Sequence, residues 1–393
     1  MAKKTVKDLN LKQKTVLMRA DFNVPLDVNL AITDDTRIRE TIPTIKYILE
    51  QEAKKLVLMS HLGRPDGKRV DKYSLKPIAE KLTQLTGVAV KMLDDCVGEQ
   101  VKKEVADGKE KIILLENLRF HSEEEANDPQ FAKDLASLGD VFVNDAFGTA
   151  HRAHASTAGV TKYLESAAGL LLEKEIIYLG NAIQNPKKPF VVILGGAKVS
   201  DKIGVIENLL PKCDTILIGG GMAYTFLKAQ GKTIGNSKLE KDKIDLAKAL
   251  LEKAVSMKKE IVLPVDHIVV DVVDPNAKTA LSGESIPDGK IAVDVGPQTI
   301  ELFKNKLRSA QTIVWNGPLG IFEMDAFSKG TQAIAEFIAT LKTTSIIGGG
   351  DTAAAVAKFK LQDKMTHIST GGGASLEFLE GKMLPGLAAL TDK

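Results

Sequence analysis

Four glycine clusters, each following a short apolar run, constrain this chain more than any other feature. They are FVVILGG (Gly195, Gly196), TILIGGG (Gly219, Gly220, Gly221), SIIGGG (Gly348, Gly349, Gly350) and HISTGGG (Gly371, Gly372, Gly373). A short apolar run bounded by such a turn reads as a strand buried on both faces. Glycine after it permits positive φ and close backbone approach, so a following helix can direct main-chain N–H groups at an anion. The simpler alternative is that tight strand-to-helix turns need glycine whatever they bind, and one cluster alone does not separate the two readings. Several clusters, three of them full triplets, favour a nucleotide or phosphate cradle.

The same alternation runs from end to end. Strands are expected at 15–18, 56–59, 88–92, 112–115 and 141–143, then at 190–194, 215–218, 261–264, 291–293, 312–315, 345–347 and 367–369. Between them, segments such as DDTRIRETIPTIKYILEQEA carry apolar residues at helical spacing. Strand–helix–strand repetition predicts parallel sheets covered on both faces. At Asn185, Pro186, Lys187, Lys188 and Pro189 two prolines end a helical stretch just before a new strand, which marks a domain break. The expected fold class is therefore α/β, with two doubly wound, Rossmann-like parallel-sheet domains joined by a helical hinge.

Composition narrows the function. Lys plus Arg (53) nearly cancels Asp plus Glu (51), so no global field draws the chain to nucleic acid or an anionic membrane, and any anion site is local. The N-terminus lacks an apolar targeting segment and no stretch reaches the length of a membrane span. Cys96 and Cys213 are the only cysteines, far apart and without metal-type spacing, which predicts packing thiols in a reduced, cytoplasmic protein. Only eight residues are arginine, and seven of them (Arg19, Arg37, Arg39, Arg64, Arg69, Arg119, Arg152) precede residue 153. With lysine serving ordinary surface charge, those few arginines are candidates for bidentate recognition of carboxylate and phosphate.

In parallel sheets ligands bind beyond the carboxyl ends of strands, and the unusual residues fall there. The first half groups Asp21, Asn23, His61, Arg64, Arg119, His151, Arg152 and His154, with Arg37 at a helix start. Such a rim suits a small ligand with more than one negative group. Alternatively, Asp21 and an arginine form a pair that only fixes a loop; Arg19, Arg39 and Arg69 are read as structural, and His121 and His267 fall outside the site. In the second half, Lys198 and Lys202 share one helix face if a helix begins after Gly196. No Walker A loop is present. Gly348–Gly350 opens an alanine-rich helix whose free N–H groups suit phosphate, with Asp351 either holding magnesium or capping the helix. Gly348, Gly350 and Ala353 also fit the dinucleotide pattern, but no acidic residue follows about 20 positions later. Glu323 is a candidate for ribose hydroxyls or a solvated side chain.

The residues therefore describe an enzyme that moves a phosphoryl group between a small anionic metabolite on one domain and a nucleotide on the other. RADFNVP, SHLGRP, ENLRF, GTAHRAHAS, GGAKVSDKI, GGGMAYTFLK, NGPLGIFE, GGGDT and STGGGASLEFLEG, in this order, resemble the phosphoglycerate kinase family over nearly the whole chain. The resemblance implies that Asp21, Phe22, Asn23, Arg37, His61, Leu62, Gly63, Arg64, Arg119 and Arg152 bind 3-phosphoglycerate or its acyl phosphate. It implies that Gly195, Gly196, Ala197, Lys198, Lys202, Gly219, Gly220, Ala292, Asn316, Pro318, Glu323, Gly349, Gly350, Asp351 and Thr352 line the site of Mg2+ with ATP or ADP, Asp351 holding the metal. Ala292 stands where the family usually has glycine near the adenine, which bears on base preference.

The implied reaction is reversible in-line transfer from 1,3-bisphosphoglycerate to MgADP, with Arg37, Lys198 and the helix starts at Gly350 and Gly373 stabilising the transferring charge. The implied domains are 1–170 with 379–393 returning to it for the acid, 171–185 as linker helix, and 186–378 for the nucleotide. Hinge-bending at that linker and at the returning C-terminus would bring the half-sites together. The expected protein is a cytoplasmic monomer with small-molecule substrates and no nucleic-acid or membrane partner. The alternatives are a silent nucleotide-binding regulator, or a kinase for another small phosphorylated acid.

Overall fold

The computed structural model describes residues 3–393. The chain divides into two compact units, Met1–Ile177 with Met383–Lys393, and Tyr178–Lys382.

Unit 1 is built on six strands: β1 (Thr15–Arg19), β2 (Lys55–Met59), β3 (Val90–Met92), β4 (Ile112–Leu114), β5 (Val141–Asn144) and β6 (Ser166–Ala168). All pair in parallel, in the order β3-β4-β2-β1-β5-β6. Of the two central strands β2 is buried throughout and β1 from Val16 onward, as continuous apolar runs such as KLVLM require when helices cover both faces. The Thr36–Glu50 helix buries Ile38, Thr41, Ile45 and Ile48, one stripe at helical spacing, and its first turn carries Arg37 to the carboxyl edge of the sheet. The C-terminal segment is bonded to this unit: Lys4 N–H donates to Thr391 O at 2.9 Å, and Gly386 N–H to Ala150 O at 2.8 Å.

Unit 2 contains β7 (Phe190–Leu194), β8 (Thr215–Ile218), β9 (Glu260–Val262), β10 (His267–Val270), β11 (Ala280–Ser282), β12 (Ile291–Val295), β13 (Thr312–Asn316), β14 (Thr344–Gly348) and β15 (His367–Ile368). Six form a parallel sheet in the order β15-β14-β13-β7-β8-β9. The Leu170–Gln184 helix starts in unit 1 and ends in unit 2.

Three local expectations change. The strand expected at 291–293 does not join the parallel sheet: β12 pairs antiparallel with β10, and β10 with β11, in a separate three-stranded sheet. β6 was not anticipated, because Ser166, Ala167 and Ala168 lack the β-branched pattern of a strand; neighbour pairing alone recruits them. Finally, the chain between Gly196 and Lys202 is not helical. The next helix begins at Ile203, so Lys198 and Lys202 do not share a helix face.

Candidate active site

In unit 1 the rim is a hydrogen-bonded network. Arg37 Nη1 donates to Asp21 Oδ2 at 3.0 Å and to Asn23 O at 3.1 Å. Asn23 Oδ1 accepts from Gly63 N–H at 2.9 Å, and Arg119 Nη1 donates to Gly63 O at 2.9 Å. Glu125 Oε1 lies 3.2 Å from Arg119 Nη2 and 3.8 Å from Arg152 Nη1, so one carboxylate holds two forks. The loops after β1, β2 and β4 are thus tied to one another, and Arg37, Arg119 and Arg152 are gathered on one unit. Arg64 is exposed. Phe22 and Leu62 are buried in the core, and their main chain braces the rim: Phe22 N–H donates to Ser60 Oγ at 2.9 Å and Leu62 O accepts from Asn117 Nδ2 at 2.7 Å. Arg39 pairs with Asp35 at 2.8 Å, and Arg69 donates to Asp94 O at 2.6 Å.

Arg19 has a different place from its exposed counterparts. It is 1 % exposed, bonded through Nε to Ser156 Oγ at 2.8 Å and through Nη2 to His61 Nδ1 at 3.1 Å. A guanidinium always donates, so Nδ1 of His61 accepts and the ring is the neutral Nε2–H tautomer. Burial, then the neighbouring Arg19, Arg119 and Arg37 charges, pushes the His61 pKa well below the usual range. Burial and the same arginine field bring His154 down to about 4. Positive charge at this rim is therefore carried by arginine, and the buried imidazoles of His61 and His154 are neutral. The support under Arg19 and between the arginines, Glu124, Glu125 and Ser156, escaped sequence reasoning, because Glu124 and Glu125 sit in an ordinary-looking acidic run, SEEE.

In unit 2 the glycine turns divide into two kinds. Gly195, Gly196, Gly219 and Gly220 have their N–H groups bonded to protein carbonyls: Asn316 O (3.0 Å), Pro318 O (3.0 Å), Leu194 O (2.9 Å) and Leu319 O (3.0 Å) respectively. A Cβ on Gly195 would lie 2.1 Å from Pro318 O, and one on Gly220 would lie 2.7 Å from Gly196 N. These glycines let the turns after β7, β8 and β13 interlock backbone to backbone, and their N–H groups are not a phosphate cradle. Ala197 continues this turn, exposed, and Ala292 is buried on β12, its N–H donating to Ser237 Oγ at 2.9 Å.

The open kind is at Gly350 and Gly372, where a Cβ would meet nothing within 4 Å; space at Gly196 is equally free, but its N–H is already taken by Pro318 O. Gly349, at φ +85°, turns the chain from β14 into the Gly350–Lys358 helix, and Gly372 turns it into the Gly373–Leu379 helix. The first N–H groups of a helix have no intrahelical acceptor. Asp351 is exposed in the first turn, while Gly349 is the cap residue, so Asp351 is not the N-cap. Thr352 is buried, its Oγ1 accepting from Gly317 N–H at 2.7 Å.

Asn316 faces the same turn from the end of β13. Its Oδ1 accepts from Lys202 Nζ, while its Nδ2 is buried with no hydrogen-bond partner among the described residues, about where a Cβ on Gly349 would approach it at 3.2 Å. A buried donor left unpaired costs about 1–3 kcal/mol, so its retention beside open helix N–H groups points to an acceptor brought by a ligand. Lys202 is half-buried; desolvation lowers its pKa, opposed by Asp201, Asp351 and Glu380. Lys198 and Glu323 are exposed. Lys358 Nζ donates to Phe322 O at 2.8 Å and Glu323 O at 3.3 Å, pinning the NGPLGIFE loop to the helix that Gly350 opens, a role its place in an alanine-rich helix did not signal.

A model of the phosphoglycerate kinase family matches residues 6–382. The chain is 59 % identical over 405 residues to the phosphoglycerate kinase of Koribacter versatilis and 57 % identical over 399 residues to that of Dictyoglomus turgidum, with both chains fully covered in each case. Its structure is similar to that of phosphoglycerate kinase from Coxiella burnetii, with a TM-score of 0.90 at 44 % identity, and to the Pyrococcus horikoshii enzyme, with a TM-score of 0.85 at 33 % identity, each covering 98 % of both chains. Arginine rim, open helix starts and whole-length similarity agree: the chain belongs to the phosphoglycerate kinase family.

Proposed function

We propose that the arginine rim of unit 1 binds 3-phosphoglycerate or 1,3-bisphosphoglycerate and that the glycine-lined edge of unit 2 binds ATP or ADP, for the reversible phosphoryl transfer of this kinase. The observation that carries the division is the contrast between the edges. Unit 1 offers three arginines held by Asp21, Glu125 and main-chain carbonyls. Unit 2 offers an unpaired buried donor, Asn316 Nδ2, beside the Gly350 helix start.

Transfer from a carboxyl phosphate to a nucleotide phosphate needs no general base towards ATP, since the accepting oxygen is already an anion. Catalysis then consists of positioning and charge stabilisation. Arg37, Lys198 and the helix starts at Gly350 and Gly373 are assigned to the transferring group, and Asn316 Nδ2 and Lys202 to the nucleotide phosphates. The interlocked glycines Gly195, Gly196, Gly219 and Gly220 offer a flat main-chain surface, with Pro318, Ala292 and Glu323, to base and ribose. Asp351, an exposed oxygen donor in the first helical turn, fits Mg2+, which when bound neutralises phosphate charge. The corresponding domains are 1–170 with 379–393, a linker helix at 171–185, and 186–378; the compact units divide nearby, within the linker helix and at Lys382. We further assign hinge motion to that linker and a cytoplasmic, monomeric state.

The test is 3-phosphoglycerate-dependent consumption of MgATP, read by coupling the acyl phosphate to NADH oxidation through glyceraldehyde-3-phosphate dehydrogenase. Turnover that needs both substrates and magnesium supports the assignment. Nucleotide binding without turnover would point to a silent binding protein, or to a kinase for another acid.

A further inference from the structure

Beyond the arginine rim, at the outer edge of the unit 1 sheet, three side chains of metal-ligand type converge. Asp95 and Cys96 lie on the loop after β3, and His121 follows the turn that carries Arg119. A carboxylate oxygen, Sγ and an imidazole nitrogen from these residues all lie within 4.8 Å of one another. One carboxylate oxygen already links the two segments: His121 Nε2 is 2.7 Å from Asp95 Oδ1, which also accepts from Cys96 N–H.

Both segments are held in place before any ion arrives. Leu93 N–H donates to Leu114 O at 2.9 Å, and Glu116 N–H to Asp95 O at 3.3 Å, which ties the loop to β4. Cys96 N–H donates to Asp95 Oδ1 at 2.7 Å, and the His121 ring packs against Phe131 with centroids 5.3 Å apart. Cys96 is fully buried, whereas Asp95 is exposed and His121 half-buried, so the cluster is closed below and open to solvent above. Neither the arginine rim nor the nucleotide edge uses these residues.

We propose that this cluster binds one borderline-soft divalent cation of the zinc class, with the Asp95 carboxylate, the Cys96 thiolate and His121 Nε2 as protein ligands and water in the remaining position. Mixed sulfur, nitrogen and oxygen donors select such an ion, and magnesium, which prefers oxygen ligands alone, does not suit them. Binding releases the Cys96 thiol proton to solvent. His121 frees Nε2 by losing its second proton when charged, or by moving its proton to Nδ1 when neutral. No electron changes hands. A thiolate and a carboxylate cancel the charge of a divalent ion, which removes the cost of a buried thiolate. Without metal, burial and the adjacent Asp95 push the Cys96 thiol well above its usual range, so it is an inert thiol rather than a nucleophile.

The experiment is a Co2+ titration of the full chain without nucleotide. One equivalent should bind, with tetrahedral visible bands and a near-ultraviolet thiolate-to-cobalt charge-transfer band that Zn2+ abolishes and Mg2+ leaves unchanged. Cys213→Ser should keep the band and Cys96→Ala should lose it. Loss of outer partners of a metal site costs about 10–100-fold in affinity, so Asp95→Asn and His121→Gln, which remove ligands themselves, should weaken binding at least about 100-fold. These two positions are not fully buried, so they test the site even if Cys96→Ala fails to fold. No charge-transfer band at stoichiometric Co2+, a band undiminished in Asp95→Asn and His121→Gln, or a band that follows Cys213 overturns the proposal.

Discussion

Asp145→Asn should make the protein more stable at pH 8 and leave it nearly unchanged at pH 4. Asp145 is 0 % exposed, and its Oδ1 accepts from Leu171 N–H at 2.9 Å and Leu172 N–H at 3.1 Å, at the start of the Leu170–Gln184 helix. Gly169 makes this approach possible, because a Cβ there would lie 2.2 Å from Oδ1. The other oxygen, Oδ2, is buried with no hydrogen-bond partner among the described residues, the nearby Thr44 hydroxyl being its polar neighbour. Burial outweighs the opposing Thr44 hydroxyl and the two helix N–H bonds, and the pKa is pushed up to about 7. Below about pH 4 the carboxyl is protonated in folded and unfolded chains alike. From there to about pH 7 the unfolded carboxyl ionises and the folded one does not, so stability falls by about 1.4 kcal/mol per pH unit. Above pH 7 the deficit is complete, about 4 kcal/mol. Asparagine keeps the acceptor at the Oδ1 position and removes the titration, while its amide meets the same partnerless space as the protonated carboxyl. Urea unfolding from pH 4 to 8 should be followed by far-ultraviolet circular dichroism, because the single tryptophan, Trp315, reports unit 2 alone. The carbon-13 shift of the Asp145 carboxyl should titrate near pH 7. A stability difference between the two proteins that is constant across this range would refute the reasoning.

Arg37→Ala should lower kcat/KM by about 10²–10³-fold with little change in circular dichroism, as loss of a charge-stabilising donor does in other enzymes; wild-type kinetics would remove Arg37 from the transfer step. Gly195→Ala should destabilise unit 2 by about 3 kcal/mol or more, since its Cβ meets backbone at 2.1 Å, whereas Gly350→Ala should fold normally. Equal stability of the two would contradict the division of the glycines. Asn316→Asp removes the unpaired Nδ2 donor and puts a carboxylate at the phosphate turn, so MgATP affinity, read from neighbouring Trp315 fluorescence, should fall at least about tenfold. His154, lowered to about 4, is neutral near pH 7: its unfolded form takes up a proton first, so its contribution to stability is lost as pH falls from about 6.5 to 4, and its proton resonances should not titrate above pH 5.5. Small-angle scattering should change when both substrates are added; an unchanged profile would count against hinge motion.

What the sequence alone determined was the repeated local pattern. Runs such as FVVIL and TILI are buried on both faces in any α/β packing, and their strands run as expected, Phe190–Leu194 and Thr215–Ile218. Polar and glycine-rich residues at strand ends located both edges, because only chain termini of strands escape the covered sheet. The scarcity of arginine in a lysine-rich chain exposed Arg37, Arg119 and Arg152 without any neighbour being known.

Only the tertiary structure decided what each of these groups is bonded to. Gly195 and Gly350 look alike in sequence, yet one is packed against Pro318 O from a distant strand end and the other is open. Arg19 and Arg37 are both candidate arginines of the first half, but Arg19 ends β1, a strand buried on both faces, and bonds to His61, while the Thr36–Glu50 helix brings Arg37 to Asp21. Asp95, Cys96 and His121 are joined only because β3 pairs with β4, a contact carrying no local pattern. Periodicity reports which face of an element is buried; hydrogen-bond partners come from segments tens to hundreds of residues away, and only the completed fold brings them within bonding distance.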